Sequence, residues 1–202
     1  MSEVLSIIVK GGIVMIPLLG CSLISLALTI ERFFFWARIK SQQTVQNMLG
    51  LAEAGEFDKA MKLGKESPHP IATVLAAGLA HRNPAPAKAM EAAAQAQIPV
   101  LKRRLGALDT IITLAPLLGL LGTVVGMIGS FDIMSEAGMG QPHAVTGGVA
   151  EALIATATGL LIAILTLIPY NYFSSRVEQE MDAMEHYSSS LELLLHEHAG
   201  KH

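Results

Sequence analysis

The sequence predicts an all-α integral membrane protein with three transmembrane helices, a helical cytoplasmic loop and a helical cytoplasmic tail. Of its 202 residues, 51% are hydrophobic and only 15% are charged, and the mean hydropathy is +0.48. An ordinary soluble domain carries more charge than this. The apolar residues are concentrated in three runs without charge, whereas most Lys and Arg residues lie in one connection between the runs.

Three charge-free runs are long enough to cross a bilayer. Gly11 to Ile30, Thr110 to Phe131 and Ala152 to Ser175 contain 20, 22 and 24 residues, and a membrane helix needs roughly 20 residues. We therefore place transmembrane helices at residues 11–36, 107–131 and 144–175. A secretory signal peptide is the alternative for the first run, but that run is too long for an h-region and lacks a small-residue cleavage site.

The distribution of Lys and Arg predicts the orientation, because short loops that carry these residues stay in the cytoplasm. Residues 37–109 hold ten of the fourteen Lys and Arg residues, and residues 132–150 hold none. The pattern predicts a multi-pass membrane protein with its N-terminus outside and its C-terminus in the cytoplasm. Its remaining parts are an outer interfacial segment at 1–10, a cytoplasmic loop at 37–106, an outer hairpin at 132–143 and a cytoplasmic tail at 176–202.

The cytoplasmic loop reads as short helices separated by glycine and proline. Breaks are predicted at Gly55, at residues 67–70 and at residues 83–86, where Gly, Pro and Asn interrupt the helical spacing. The alanine-rich stretch Ala87 to Leu108 is expected to continue into the second span, with a kink at Pro99. About 70 residues cannot bury a large core. The loop is therefore expected to be an interaction platform rather than a catalytic domain.

An amphipathic helix is predicted after the third span. Apolar residues recur at three- and four-residue spacing with acidic residues between them, which is typical of a helix packed on one face. The histidines near the C-terminus lack the spacing of a metalloprotease site and are interpreted as a solvated tail. Cys21 is the only cysteine, which excludes disulfide frameworks and cysteine-based metal sites. We expect no metal and no cofactor.

Glu151 is the acidic residue that best predicts a function. It lies among small and apolar residues between Ala144 and Ser175, and an ionisable residue inside a membrane usually marks an ion or proton pathway. The alternative is a hydrated carboxylate at the outer interface. The start of the third helix decides between them, because a start near Ala144 places Glu151 two turns inside the helix, whereas a start near Ala150 leaves it in water.

The second and third spans carry small residues suited to close helix contact. Gly119, Gly122, Gly126 and Gly129 lie within about 80° of one another on a helix, and Gly159 belongs to a small-residue face of the third span. Such stripes let helices approach closely. Thr123 borders the first stripe. Thr156 lies five residues beyond Glu151, hence about 140° around the helix, and the two side chains need not line one surface.

Two ordered motifs resemble the ExbB/TolQ/MotA family of proton-channel subunits, and most of all its ExbB branch. They read APLLGLLGTVVGM at residues 115–127 and GGVAEALIATATGL at residues 147–160. A looser likeness at residues 12–17 and 30–32 extends the resemblance over most of the chain. By position in these motifs, Glu151 matches the intramembrane glutamate of the family, and Thr123 and Thr156 match its pore threonines.

The resemblance implies an inner-membrane homopentamer in which the second and third spans line a central pore. The pore would hold the single transmembrane helices of two ExbD-like partners, and proton flow would turn pentamer and dimer relative to each other. A TonB-like transducer would carry the work to outer-membrane transporters. Protons are thus the expected coupling ion, and the expected partners are other copies, these proteins and membrane lipid, without nucleic acid. The short outer N-terminal segment departs from longer ExbB members and leaves a TolQ-like role in the Tol-Pal system open.

Two other classes of function remain as alternatives. A structural membrane scaffold would recruit partners through the loop and tail without moving protons. A membrane enzyme is disfavoured, because no nucleophile, base and orienting group converge in the sequence, and no metal-ligand or phosphate-binding spacing occurs. We therefore predict that the protein is not an enzyme.

Overall fold

The computed structural model describes residues 11–39, 43–137 and 142–199, which are all-α and contain no β-strand. The predicted fold class is confirmed. The outer segment at residues 1–10, part of the predicted hairpin and the last residues of the tail lie outside the described residues. The helices of the described part are α1 (Met15–Ile39), α2 (Gln43–Glu53), α3 (Phe57–Glu66), α4 (Pro70–Ala80), α5 (Pro86–Lys102), α6 (Leu105–Ala137) and α7 (Pro142–Ala199).

Three of these helices, α1, α6 and α7, contain stretches long and apolar enough to cross a membrane. In the most apolar windows of these helices, fewer than a third of the residues are buried within the single chain. Large apolar side chains therefore cover their outer surfaces. Such surfaces are stable against lipid or against other apolar helices, since lipid tails are as apolar as leucine.

The chain divides into two compact units. The first comprises Met1–Glu31 and Arg104–Tyr172, and the second comprises Arg32–Arg103 and Phe173–His202. In the first unit, Val14, which directly precedes α1, and residues of α1, α6 and α7 form one apolar core. Its members are Val14, Met15, Leu18, Cys21, Ile111, Ala115 and Ile162, with Leu118 packed against them.

The second unit is built around α4, which packs against both α3 and α5. Ile71, Val74 and Leu75 on α4 are at most 1% exposed. The helix begins with Pro70 at its first position, where the missing N–H removes no helical hydrogen bond. His69 caps it, because the His69 Nδ1 accepts a 3.3 Å hydrogen bond from the Ile71 backbone N–H.

The breaks predicted between the short helices are confirmed. Gly55 lies between α2 and α3 with φ +75°, a conformation that favours glycine. Residues 67–69 separate α3 from α4, and residues 81–85 separate α4 from α5. The helices of this part of the chain therefore end at glycine- and proline-containing segments, as the sequence predicts.

Two local predictions differ from the structure. The stretch Ala87 to Leu108 does not continue into the second span: α5 ends at Lys102, Arg104 adopts a left-handed φ of 68°, and α6 begins at Leu105. His198 is not a solvated tail residue, because its half-buried ring lies 5.4 Å from the Phe57 ring.

Candidate functional site

Glu151 lies well inside α7. The helix begins at Pro142, nine residues before Glu151, which corresponds to about two and a half turns. Of the two helix starts that the sequence leaves open, the structure matches the one near Ala144. The Glu151 side chain is half-buried, and its neighbours Ala152 and Ala155 on the same helix are at most 3% exposed.

Gly12, just before α1, lies directly against the Glu151 carboxylate. A Cβ built on Gly12 would collide with the Glu151 Oε1 and would lie 2.7 Å from its Cδ. Gly12 also has φ +73°, a left-handed conformation that side chains with a Cβ adopt at a cost. Position 12 therefore needs glycine for two independent reasons, and one of them is the carboxylate itself.

The predicted glycine stripe of α6 packs against α7. A Cβ on Gly119 would lie 3.0 Å from the Thr156 Cα, and a Cβ on Gly126 would lie 2.9 Å from the Gly148 carbonyl oxygen. Gly122 faces the Ala155 Cβ, and Gly159 on α7 faces the Ala115 carbonyl of α6. Two helix backbones thus approach each other without intervening side chains, as small residues permit.

Gly129 is the exception in this stripe. Within the described ranges, no atom outside its own helical turn lies within 4 Å of a Cβ built on Gly129. The stripe therefore contacts α7 over Gly119 to Gly126 and leaves its last member open. Ser130, the next residue, is only 1% exposed and lies against Gly148.

Both predicted pore threonines use their hydroxyl hydrogens. The Thr156 Oγ1 donates a 2.9 Å hydrogen bond to the Gly119 carbonyl across the contact between α7 and α6. The Thr123 Oγ1 donates a 2.6 Å hydrogen bond to the Leu120 carbonyl on its own helix. Each hydroxyl oxygen keeps acceptor capacity. The structure thus places Thr156 against α6 and Glu151 against Gly12. The two side chains lie on different surfaces of α7.

A second face of α6, opposite the glycine stripe, is open and apolar. Its residues fall within about 80° on the helix at 100° per residue and are about half exposed. They are Leu117 (61%), Leu121 (49%), Val124 (51%), Ile128 (56%) and Phe131 (52%). The α6 helix therefore packs on one side within the chain and presents an apolar surface on the other.

Two polar contacts of the first unit are not indicated by the sequence motifs. Ser25 on α1 and Thr166 on α7 form a buried 2.7 Å hydrogen bond, and Thr166 also donates to the Ile162 carbonyl. Because Thr166 gives its hydrogen to Ile162, Ser25 is the donor in the contact between the helices. The sequence indicates only that both are hydroxyl residues in apolar spans, where polar side chains form hydrogen bonds between helices.

The described residues offer no group of three or more His, Cys, Asp or Glu side chains placed to hold a metal ion. What this part of the first unit provides instead is the Glu151 carboxylate, hydroxyl groups and closely packed small residues. These groups can accept, donate or hold a proton. They do not form a nucleophile with an adjacent base.

Comparison with known proteins gives a consistent result. The family described as the MotA/TolQ/ExbB proton channel family matches residues 66–186. The chain is 39% identical over 191 residues to the putative biopolymer transport protein ExbB-like 3 of Synechocystis sp., covering 91% of each chain. It is 28% identical to a putative ExbB homolog of Methanothermobacter thermautotrophicus, covering 90% of this chain and 67% of the relative. It is also 36% identical to the Tol-Pal system protein TolQ of Haemophilus influenzae, covering 55% and 49%.

Proposed function

The chain belongs to the MotA/TolQ/ExbB proton channel family, and from that premise we propose that it is an ExbB-like proton channel subunit of an inner-membrane motor. The motor uses the proton motive force to energise TonB-dependent transport across the outer membrane. The observation that carries the proposal is the placement of Glu151, a half-buried carboxylate about two and a half turns inside an apolar helix.

A carboxylate at this depth is costly in lipid and is retained where it serves an ion or proton pathway. Each proton that crosses 100 mV releases roughly 2.3 kcal/mol, which is enough to drive a conformational step. The acceptor oxygens of Thr123 and Thr156 supply further proton-accepting positions on α6 and α7. In the proposal, Glu151, Thr123 and Thr156 together line the proton pathway.

A single chain provides too few polar groups to enclose a pore, which supports an assembly of several copies. The open apolar face of α6, from Leu117 to Phe131, suits contact with other helices. We propose a homopentamer whose second and third spans surround the single transmembrane helices of an ExbD-like dimer, with a TonB-like transducer outside. The Lys and Arg distribution supports a periplasmic N-terminus and a cytoplasmic C-terminus.

A TolQ-like subunit of the Tol-Pal envelope system is the second candidate. The specific observation in its favour is the 36% identity to the TolQ proteins of Haemophilus influenzae and Pseudomonas aeruginosa over more than half of this chain. The longer matches to ExbB-like proteins favour the first candidate. Complementation of bacteria that lack either the ExbB-type or the TolQ-type subunit separates the two roles.

The decisive experiment measures proton flux. The chain is reconstituted with its ExbD-like partner in liposomes that contain a pH-sensitive dye, and a potassium diffusion potential is applied. Glu151→Gln is expected to lower the flux strongly. Glu31→Gln is the matched control, because Glu31 is a carboxylate of the same unit whose Oε2 pairs with the Arg104 Nη1 at 3.1 Å. Equal flux in the two variants would reject Glu151 as part of the pathway.

A scaffold makes a different prediction. A protein that only recruits partners would support energised transport equally well with Glu151→Gln and with Thr156→Val. Normal assembly with loss of transport therefore supports the channel, whereas normal assembly with unchanged transport supports the scaffold.

A further inference from the structure

The second unit contains a groove between α5 and α7 that the proposed proton channel does not use. Its volume is about 260 Å³. Both walls come from this unit, one from α5 and the other from the part of α7 beyond the proposed span. The lining residues are Ala87, Met90, Glu91, Ala94 and Ile98 of α5 and Met181, Met184, Glu185, Ser188, Ser189 and Glu192 of α7.

The floor of the groove is apolar and adaptable. Met90 and Met184, one from each helix, are only 2% and 3% exposed, and Ala94 and Ile98 continue the apolar wall. Methionine side chains are flexible and adjust to ligands of different shape. The volume is below the roughly 300–1,000 Å³ of small-molecule pockets, which suits an inserted side chain better than a small ligand.

The rim of the groove is acidic. Glu91 and Glu185 are exposed, Glu192 is half-buried, and among the residues that the structure describes no Lys or Arg lines the groove. Glu185 and Glu192 are seven residues apart on one helix, hence about 10.5 Å along the axis. From Arg176 onward, α7 carries that single Arg and no Lys against six acidic residues. The wall that α7 contributes to the groove is therefore negative.

We propose that this groove binds a basic amphipathic helix of a partner protein. An apolar side chain of that helix inserts between Met90 and Met184, and its Lys or Arg residues pair with Glu91, Glu185 and Glu192. A helix laid in an apolar groove uses anchors three and four residues apart. Seven residues, the separation of Glu185 and Glu192, is two turns of such a helix, so cations spaced by two turns can reach both carboxylates.

Charge complementarity favours a basic partner helix over anionic lipid and over the lysine-rich helix of a second copy. Anionic lipid headgroups would be repelled by the three carboxylates at the rim. The lysine-rich helix α3 of a second copy is disfavoured as well, because this helix and the preceding residue carry Lys59, Lys62 and Lys65 against Glu56, Asp58 and Glu66. Lys59 is already paired with Glu56 at 2.9 Å. This helix therefore offers no net positive charge to the groove.

The test uses two designed helical peptides with the same leucine anchors. One carries Lys at the flanking positions and the other carries Glu. The full-length protein is embedded in nanodiscs of zwitterionic lipid, with empty nanodiscs as a blank, and binding is followed by fluorescence anisotropy of the labelled peptide. We expect the Lys peptide to bind, to bind more weakly at high salt, and to bind at least about tenfold more tightly than the Glu peptide.

Three variants locate the binding. The double variant Glu185→Lys/Glu192→Lys is expected to weaken binding of the Lys peptide at least about tenfold, and Ala94→Trp is expected to block it by filling the groove. Asp182→Lys is the matched control, because Asp182 is an exposed acid of the same helix that does not line the groove, and it should bind like the wild type. Thermal melting checks that each variant is folded.

Three results would overturn the proposal. Equal binding of the Lys and Glu peptides would remove the electrostatic basis. A loss in Asp182→Lys as large as in the double variant would show that the general charge of α7, not the groove, attracts the peptide. A photo-crosslinker at Ser188 that joins two copies of this chain in the assembled complex would show that a second copy occupies the groove.

Discussion

The Thr156 hydroxyl donates a 2.9 Å hydrogen bond to the Gly119 carbonyl, and so links α7 to α6 at one of the positions where their backbones lie close together. Gly119 makes this contact possible, because a Cβ at that position would lie 3.0 Å from the Thr156 Cα. A polar link and a steric requirement therefore act on the same pair of residues. Each can be removed separately by substitution.

Thr156→Val removes the polar link and keeps the shape of the side chain. Hydrogen bonds between membrane helices contribute about 0.6 kcal/mol on average and at most about 1.7 kcal/mol. We therefore expect a modest loss of thermal stability in detergent, together with a lower proton flux. Thr156→Ser keeps the hydroxyl and is expected to retain most of both properties. A loss in Thr156→Ser with none in Thr156→Val would show that the methyl group, not the hydrogen bond, matters.

Gly119→Ala tests the steric requirement. The nearest atoms to the new Cβ are the Thr156 Cα and the Ala155 carbonyl oxygen, at 3.0 and 3.1 Å, and backbone atoms cannot move aside as a flexible side chain can. Overpacking of this kind typically costs about 1–3 kcal/mol. Thermal unfolding of the purified protein is expected to shift downward accordingly.

Gly129→Ala is the matched control on the same helix. Among the described residues nothing lies within 4 Å of its new Cβ, and alanine favours a helix over glycine by about 1 kcal/mol. The variant is expected to be as stable as the wild type or more stable. A destabilised Gly129→Ala would mean that a neighbouring copy or partner covers this face in the assembled protein.

The sequence predicts the spans well and their contacts less well, for identifiable reasons. Long charge-free runs report directly on membrane helices, and Gly55 and Pro70 mark helix ends by their own backbone restrictions. The break at Arg104 is not indicated by the sequence, because arginine does not usually adopt a left-handed φ. The cap at His69 is not indicated either, because helix caps are usually Ser, Thr, Asp or Asn.

Contacts between residues far apart in the chain cannot be predicted from the sequence pattern. Gly12 and Glu151 are separated by 139 positions, and no spacing rule connects a turn glycine to a carboxylate that far away. Likewise, helical periodicity places Gly119 and Gly129 on one stripe. Helical periodicity does not indicate which end of the stripe contacts α7, because that contact depends on the angle at which α6 and α7 cross.

Gly12→Ala is expected to disturb the site through Glu151. The new Cβ would displace the Glu151 carboxylate, and the left-handed φ of +73° adds about 1–2 kcal/mol of strain. Proton flux in liposomes should fall without any change in an ionisable group. Gly20→Ala in α1 is the control, since a Cβ there meets no described atom within 4 Å. Unchanged flux in Gly12→Ala would show that the position of this carboxylate is unimportant.

The buried cap residue His69 is expected to make the protein less stable in mild acid. Burial lowers the pKa of His69 below its usual 6.5, because the charged ring loses hydration. The Nδ1 accepts the cap hydrogen bond from Ile71, and protonation would replace that acceptor by a donor. A lowered pKa means that the folded protein binds fewer protons. Its contribution to stability is therefore present above pH 6.5 and is lost as the pH falls toward the folded-state pKa.

His69→Asn isolates this contribution, because asparagine is a favoured N-cap and does not titrate. Thermal melts at a series of pH values from 7.5 down to 5 are expected to show a smaller drop for the variant than for the wild type. His81→Asn is the control, since His81 is exposed. The same drop in His69→Asn as in the wild type would assign the acid sensitivity to other groups.

Glu180 has the opposite pH dependence. It is 7% exposed, and its Oε2 has no hydrogen-bond partner among the residues that the structure describes. Burial raises the pKa of Glu180 above its usual 4.5, and the positive charge of Arg176 opposes part of this rise. A raised pKa means that the contribution of this group to stability is complete below pH 4.5 and is lost as the pH rises through the folded-state pKa.

Glu180→Gln keeps the shape and cannot ionise, so the buried side chain stays neutral at every pH. We expect the variant to equal the wild type near pH 5 and to melt progressively higher than the wild type toward pH 8. Glu178→Gln, two positions away and exposed, is the control and should follow the wild type throughout. If Glu180→Gln instead melts lower than the wild type at pH 8, the attraction between Glu180 and Arg176 outweighs the cost of burying the charge, and the carboxylate stabilises the fold as an ion.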